Sequence, residues 1–186
     1  GTYSEAAIKM ETCLGCTVDG NTITSNPNYG IWMDYGFNTI ITNNTMDVDH
    51  YGIRAEYGSY YSLNGNTIRL HNINEQSDER AIYFNSSEHC TINNNHITSS
   101  FYTRYCQAIV NNNSNSQAII NNNYIVWGIY DSVQCNWYSS SGNSYSAYDL
   151  FSIRVEDAQE IKSNTILQHQ YYNGQAIYVY QSDNYN

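Results

Sequence analysis

The feature that most constrains this chain is that it repeats itself. Six segments align: AIKMETCLGCTVDGNTI from Ala7, GIWMDYGFNTIITNNTM from Gly30, GIRAEYGSYYSLNGNTI from Gly52, AIYFNSSEHCTINNNHI from Ala81, AIVNNNSNSQAIINNNYI from Ala108 and LFSIRVEDAQEIKSNTI from Leu150. The fifth carries one extra residue, and a seventh copy opens at Ala176 with AIYVY. A unit this short cannot bury its own apolar face and must stack on its neighbours. In each copy a small residue or Leu precedes alternating apolar positions, such as Ile31 and Met33, Ile53 and Ala55, or Ile82 and Phe84. Period-two alternation marks a strand with one buried face. A second strand ends at Val18, Ile41, Leu63, Ile92, Ile120 and Ile161, and a two-residue step then reaches Asn21, Asn44, Asn66, Asn95, Asn123 and Asn164. A third strand starts two places on, as at Ile23, Met46, Ile68 and Ile97. The pattern predicts an all-β fold, a right-handed single-stranded parallel β-helix of about six to seven coils.

The recurring Asn has a physical reason. It tolerates a left-handed or bridging conformation at a sharp corner, and its amide bonds to the Asn stacked above or below. The first copies stand about 22 residues apart, close to a minimal coil. Longer connections follow at Arg69 to Arg80 and Thr98 to Gln107, and the largest insertion, about 127–149, holds Trp137, Tyr138 and a Ser-rich stretch. Residues 1–186 are therefore expected to form one β-helix domain whose protruding loops serve binding or packing.

The GNTI and NNNxI copies resemble the parallel β-helix repeats of pectin-lyase-like proteins, including the NosD-type carbohydrate-binding and sugar-hydrolase group, over essentially the whole chain. The resemblance implies architecture, and it spans lyases, hydrolases, epimerases, phage tailspikes, adhesins and non-catalytic proteins. A NosD-like accessory role in metal delivery follows from fold analogy alone. The Asp-Pro-His-Asp pattern of the epimerases is missing, and Asp47-Val-Asp49-His50 is a loose echo that reads as a polar loop.

Stacking the copies lists the outward positions of the first strands. One row reads Lys9, Trp32, Arg54, Tyr83, Val110, Ser152, Tyr178, and the next reads Glu11, Asp34, Glu56, Asn85, Asn112, Arg154, Tyr180. Coils lie about 4.8 Å apart, so Glu11, Asp34 and Glu56 form a column of like charges. Such a column is tolerated if it binds Ca²⁺, does acid–base chemistry, or pairs with Lys9 and Arg54 in the adjoining row. In the functional version Trp32, Tyr83 and Tyr178 are platforms for sugar rings, and Asp34 and Glu56 are the acid and the base or nucleophile of a hydrolase. In a lyase, Arg54 or Lys9 removes the proton, with Ca²⁺ on the carboxylates.

Charge narrows the partners. A net charge of −10 with seven Lys and Arg excludes the basic footprint that nucleic-acid binding needs. No apolar run approaches membrane-spanning length. Five cysteines leave at least one without an intrachain partner. Cys13 and Cys16 form a lone CxxC, a weak zinc signal without a second pair. Cys16 and Cys90 fall at equivalent inward positions roughly 14 Å apart, which predicts buried thiols. His50, His71, His89, His96 and His169 share no row, which argues against a histidine metal site. Asn43, Asn85 and Asn112 open glycosylation sequons.

Only Gly1 to Ala6 precede the first strand, and six residues follow Tyr180, so no end cap is evident. An uncapped β-helix is either a fragment or is closed by copies of itself, and head-to-tail stacking yields a filament. The expectation is a non-catalytic extracellular or cell-surface building block that assembles end to end or forms part of a tailspike-like fibre, in contact with glycans. The alternative is a polysaccharide lyase or glycoside hydrolase working in the first-strand groove.

Overall fold

A computed structural model describes residues 6–25, 27–71, 79–99, 106–113, 117–127, 151–156, 158–168 and 175–180. Every strand among them is paired in parallel, and together they make three sheets. The first sheet has seven strands: Ala6–Glu11, Tyr29–Asp34, Tyr51–Glu56, Glu79–Asn85, Cys106–Asn112, Phe151–Glu156 and Gln175–Tyr180. The second and third sheets have six strands each and take the two short strands that follow each of the first six. Each of the first six coils thus contributes one strand per sheet, the seventh adds a strand to the first sheet, and the chain is a right-handed parallel β-helix.

The core is a set of vertical columns. In the first sheet Ile8, Ile31, Ile53, Ile82, Ile109, Ile153 and Ile177 lie in direct register. Val18, Ile41, Leu63, Ile92, Ile120 and Ile161 form the column of the second sheet. Ile23, Met46, Ile68, Ile97, Ile125 and Ile166 form that of the third. Each fully buried Ile contributes about 1.5–3 kcal/mol of transfer free energy, which the alternating pattern directs to one interior.

The corner between the second and third sheets is built the same way in every coil. The Nδ2 of Asn21 donates to the Oδ1 of Asn44 at 2.9 Å, and Asn44 to Asn66, Asn66 to Asn95, Asn95 to Asn123 and Asn123 to Asn164 follow at 2.9–3.0 Å. The backbone N–H of each donor also reaches the same acceptor oxygen, at 2.9–3.1 Å. The expected left-handed residue is not this Asn but the one before it: Gly20, Asn43, Gly65, Asn94, Asn122 and Ser163 all have φ between 54° and 66°. The chain turns on the first residue of the Gly-Asn, Asn-Asn or Ser-Asn pair and ties the coils together with the second.

Two expectations need correction. The sixth copy starts two residues later than its sequence alignment implied: Gln107 pairs Phe151 and Ile109 pairs Ile153, so Ser152 takes the small-residue place opposite Ala108. Ser152 is therefore buried, and Arg154 occupies the outward row between Val110 and Tyr178. Only a small side chain fits that buried column; a Cβ on Gly30 would lie 2.6 Å from the carbonyl oxygen of Gly52. Second, Cys16 is not a buried thiol but is joined to Cys13 in a disulfide, with Cα atoms 6.1 Å apart. Cys90 remains a buried free thiol. The insertion at 127–149 lies outside the described residues apart from Trp127, as do 72–78 and 100–105 in the two longer connections.

Candidate functional site

Through the first five coils the outer face of the first sheet carries the expected residues in the expected rows; in the sixth, Arg154 takes the place expected of Ser152. Lys9, Trp32, Arg54, Tyr83 and Val110 are successive Cα partners, and so are Glu11, Asp34, Glu56, Asn85 and Asn112. The backbone of Tyr178 continues the first row, but its side chain lies outside the described residues. Glu11 and Glu56 are neutralised along their own strands rather than across coils. Lys9 Nζ contacts Glu11 Oε1, and Arg54 Nη2 donates to Glu56 Oε1 at 2.8 Å. Glu11, Asp34 and Glu56 share a row without converging, and among the described residues no three His, Cys, Asp or Glu side chains meet as a metal-holding group.

Arg54 is the centre of this face. Its guanidinium carbon lies 5.2–5.9 Å from the ring centroids of Trp32, Tyr51, Tyr29 and Tyr83. Nη1 also donates to the Tyr29 hydroxyl at 3.2 Å. Burial works against this charge, but the Glu56 hydrogen bond and charge outweigh it and hold the Arg54 pKa above its ordinary value. Arg80 sits over Tyr83 at 4.5 Å. Cations over π faces in partly dry surroundings hold the rings in fixed planes. Trp32 Nε1, Asp34 Oδ1 and Arg54 Nε are buried there without a hydrogen-bond partner, leaving two donors and an acceptor for a polar ligand or water.

A second group escaped the sequence reading. At the corner after the first sheet, Tyr35 stacks on Tyr57 with centroids 5.2 Å apart, and Tyr60 stacks on His89 at 4.7 Å. These side chains face solvent: Tyr35 is 51%, Tyr57 47% and Tyr60 55% exposed, and Leu14 in the coil below is 77% exposed. All three tyrosines and His89 have left-handed backbones, with φ of 51–59°. Bulky residues seldom adopt that region. The available signal was the triplet Asp34-Tyr35-Gly36 and its copy Glu56-Tyr57-Gly58, an aromatic residue set directly after the charged row. The glycines have a packing reason. A Cβ on Gly36 would lie 2.6 Å from the Tyr61 hydroxyl, which accepts the Gly36 N–H at 3.0 Å.

The polar loop read at Asp47 to His50 gains a partner, because His71 Nε2 contacts Asp47 Oδ1 across the coils. Burial raises the Asp49 pKa, opposed by the charges of His50 and His71.

Three parallel sheets and a solvent-facing strip of rings and ion pairs define a β-helix scaffold protein with a decorated lateral face. A family model described as "Periplasmic copper-binding protein (NosD)" matches residues 2–150. The chain belongs to the NosD family, which that description places in the periplasm. No curated protein and no solved structure matches it. Cu(I) favours soft sulfur donors. Met33, Met46 and Cys90 are buried in the core and Met10 is partly buried against it; the buried Cys13 and the half-buried Cys16 sit at the corner that carries exposed Leu14.

Proposed function

We propose that this chain is a non-catalytic β-helix module of the cell envelope that holds a glycan along its lateral face. The observation that carries this reading is the stacked pair Tyr35 and Tyr57, exposed beside Asp34 and Glu56. Sugar C–H faces pack on flat rings, and carboxylates accept sugar hydroxyls. Trp32 and Tyr83, braced by Arg54, extend the same strip. Glu56 is bound to Arg54, which favours holding a ligand over moving protons.

The test is retention on insoluble polysaccharides together with an assay for released reducing ends. Retention that falls at least tenfold in Tyr35→Ala with Tyr57→Ala, with no product released, supports the module. Glycan cleavage abolished by Asp34→Asn with Glu56→Gln would replace it with the enzyme alternative, in which Asp34, Glu56 and Arg54 do the chemistry. End-to-end stacking of copies is part of the same proposal. Light scattering supports it if the mass rises with concentration, and a constant monomer mass removes it.

A second reading is favoured by the Cys13–Cys16 pair, which fits the family's description as copper-binding. Bound copper would supply a soft Lewis acid or a one-electron carrier, and these two sulfurs are the residues to hold it. Copper retained by the reduced and desalted chain, in which Cys13 and Cys16 are thiols, checks that reading when measured by elemental analysis.

A further inference from the structure

We infer that the corner Cys13-Leu14-Gly15-Cys16 is a redox-gated Cu(I) site, closed as a disulfide and opened by a small-molecule or protein dithiol. The inference deepens the copper reading and rests on it.

The corner is unlike its equivalents in the coils above. Backbone hydrogen bonds to the next coil place Cys13 in line with Gly36 and Cys16 in line with Thr39. In the second and third coils the Tyr61 ring fills the corner from inside, against Gly36 and Gly58. The first coil has two sulfurs instead, beside the exposed Leu14 and a left-handed Gly15 at φ 67°. The next coil also fixes this backbone independently of the sulfurs. The Thr12 and Gly15 N–H groups donate to Asp34 and Phe37 at 2.8 Å, while the Cys13 and Cys16 carbonyls accept from Phe37 and Ile40 at 2.8 and 2.9 Å. The Cα separation of 6.1 Å is therefore kept when the S–S bond is broken, and the dithiol is held ready rather than released.

The ligand count decides the metal. Zinc needs four ligands, and no described third His, Cys, Asp or Glu joins this pair. Cu(I) is satisfied by two thiolates, and soft sulfur selects it. In the first step the dithiol gives two electrons and two protons to the S–S bond, which breaks into two thiols as the dithiol becomes a disulfide. In the second step Cu(I) takes both sulfurs, and the two thiol protons leave to solvent. Cys90 does not compete, because it is buried and burial pushes its thiol pKa up.

The full chain, reduced with dithiothreitol and desalted under argon, is titrated with Cu(I) against the coloured chelator bicinchoninate. The expected result is a single equivalent of copper withdrawn by the reduced chain. The untreated chain and Cys13→Ser with Cys16→Ser should withdraw none, while Cys106→Ser with Cys135→Ser should behave as wild type. Circular dichroism checks that each variant folds. If the serine pair does not fold, mass spectrometry of iodoacetamide labelling decides on the wild type, where Cu(I) should protect Cys13 and Cys16 at least tenfold. Copper withdrawn equally by the serine pair or by the untreated chain, or labelling that Cu(I) leaves unchanged, overturns this site and leaves the copper reading standing. Copper withdrawn by no form of the chain overturns both.

Discussion

The two corners of each coil are built on opposite principles. Between the second and third sheets, each of the six coils uses a left-handed residue followed by an Asn, and the amides of Asn44, Asn66, Asn95 and Asn123 are hydrogen-bonded to the coil on either side. Between the first and second sheets, each coil finds its own solution: a disulfide at Cys13–Cys16, a Tyr61 ring over Gly36 and Gly58, then Ser87 and Cys90. The uniform corner is inside and satisfies itself. The varied corner turns exposed side chains to solvent, at Leu14, Tyr35, Tyr57 and Tyr60. A solenoid needs one corner to set its register; the other is left open to local chemistry.

The comparison breaks most easily at its rigid half. Asn66 accepts from the backbone N–H and Nδ2 of Asn44, and it donates to Asn95 Oδ1 and the Ile41 carbonyl. Asn66→Ala strands several of these buried groups, so about 3 kcal/mol or more should be lost in urea unfolding. A loss below about 1 kcal/mol would mean that the amide column is dispensable. The next effect belongs to the varied corner. In Gly58→Ala the new methyl would collide with the Gly36 carbonyl and the Tyr61 hydroxyl, at a cost of about 2 kcal/mol. Tyr61→Phe should relieve only part of this, because the carbonyl is backbone.

Tyr61 also gives this corner a pH dependence. Burial raises its pKa from 10.0 to about 12, partly opposed by the Gly36 hydrogen bond. The unfolded chain releases the phenol proton first, so this residue's stabilisation is full below about pH 10 and is lost as pH rises toward about 12. Melting temperatures at pH 9 and pH 11 should therefore fall less in Tyr61→Phe than in the wild type. Equal falls would show that the phenol is not shielded in solution.

The uniform half was legible in the sequence for the same reason that it is rigid. Period-two alternation and an Asn at fixed offset leave one register, and the aligned Ile, Val and Leu of the copies are the observed columns. The sixth coil misled because Leu150 and Ser152 both precede an alternating run, and only the strand pairing shows which of them is the small residue. Cys16 misled because its equivalence to Cys90 was visible in the repeat while its proximity to Cys13 around a tight turn was not. The rows Lys9 to Val110 and Glu11 to Asn112 followed from register alone. That Lys9 and Arg54 pair along their own strands, and that four rings gather round Arg54, depended on side-chain directions that no spacing encodes.

The smallest effect tests whether the exposed rings are held for use or for stability. Tyr57 sits at φ 51° and stacks on Tyr35. A left-handed backbone costs an ordinary L-residue about 1–2 kcal/mol, and Asn escapes much of this through its short polar side chain. An exposed aromatic pair returns about 0.5 kcal/mol. Backbone relief should win narrowly, so Tyr57→Asn is expected to gain about 0.5 kcal/mol in urea unfolding while weakening polysaccharide retention. A variant more stable but poorer at binding marks a residue kept at a folding cost for what it touches. A clear loss of stability with retention unchanged would instead make the Tyr35–Tyr57 stack part of the scaffold, and the two corners would then differ in chemistry but not in purpose.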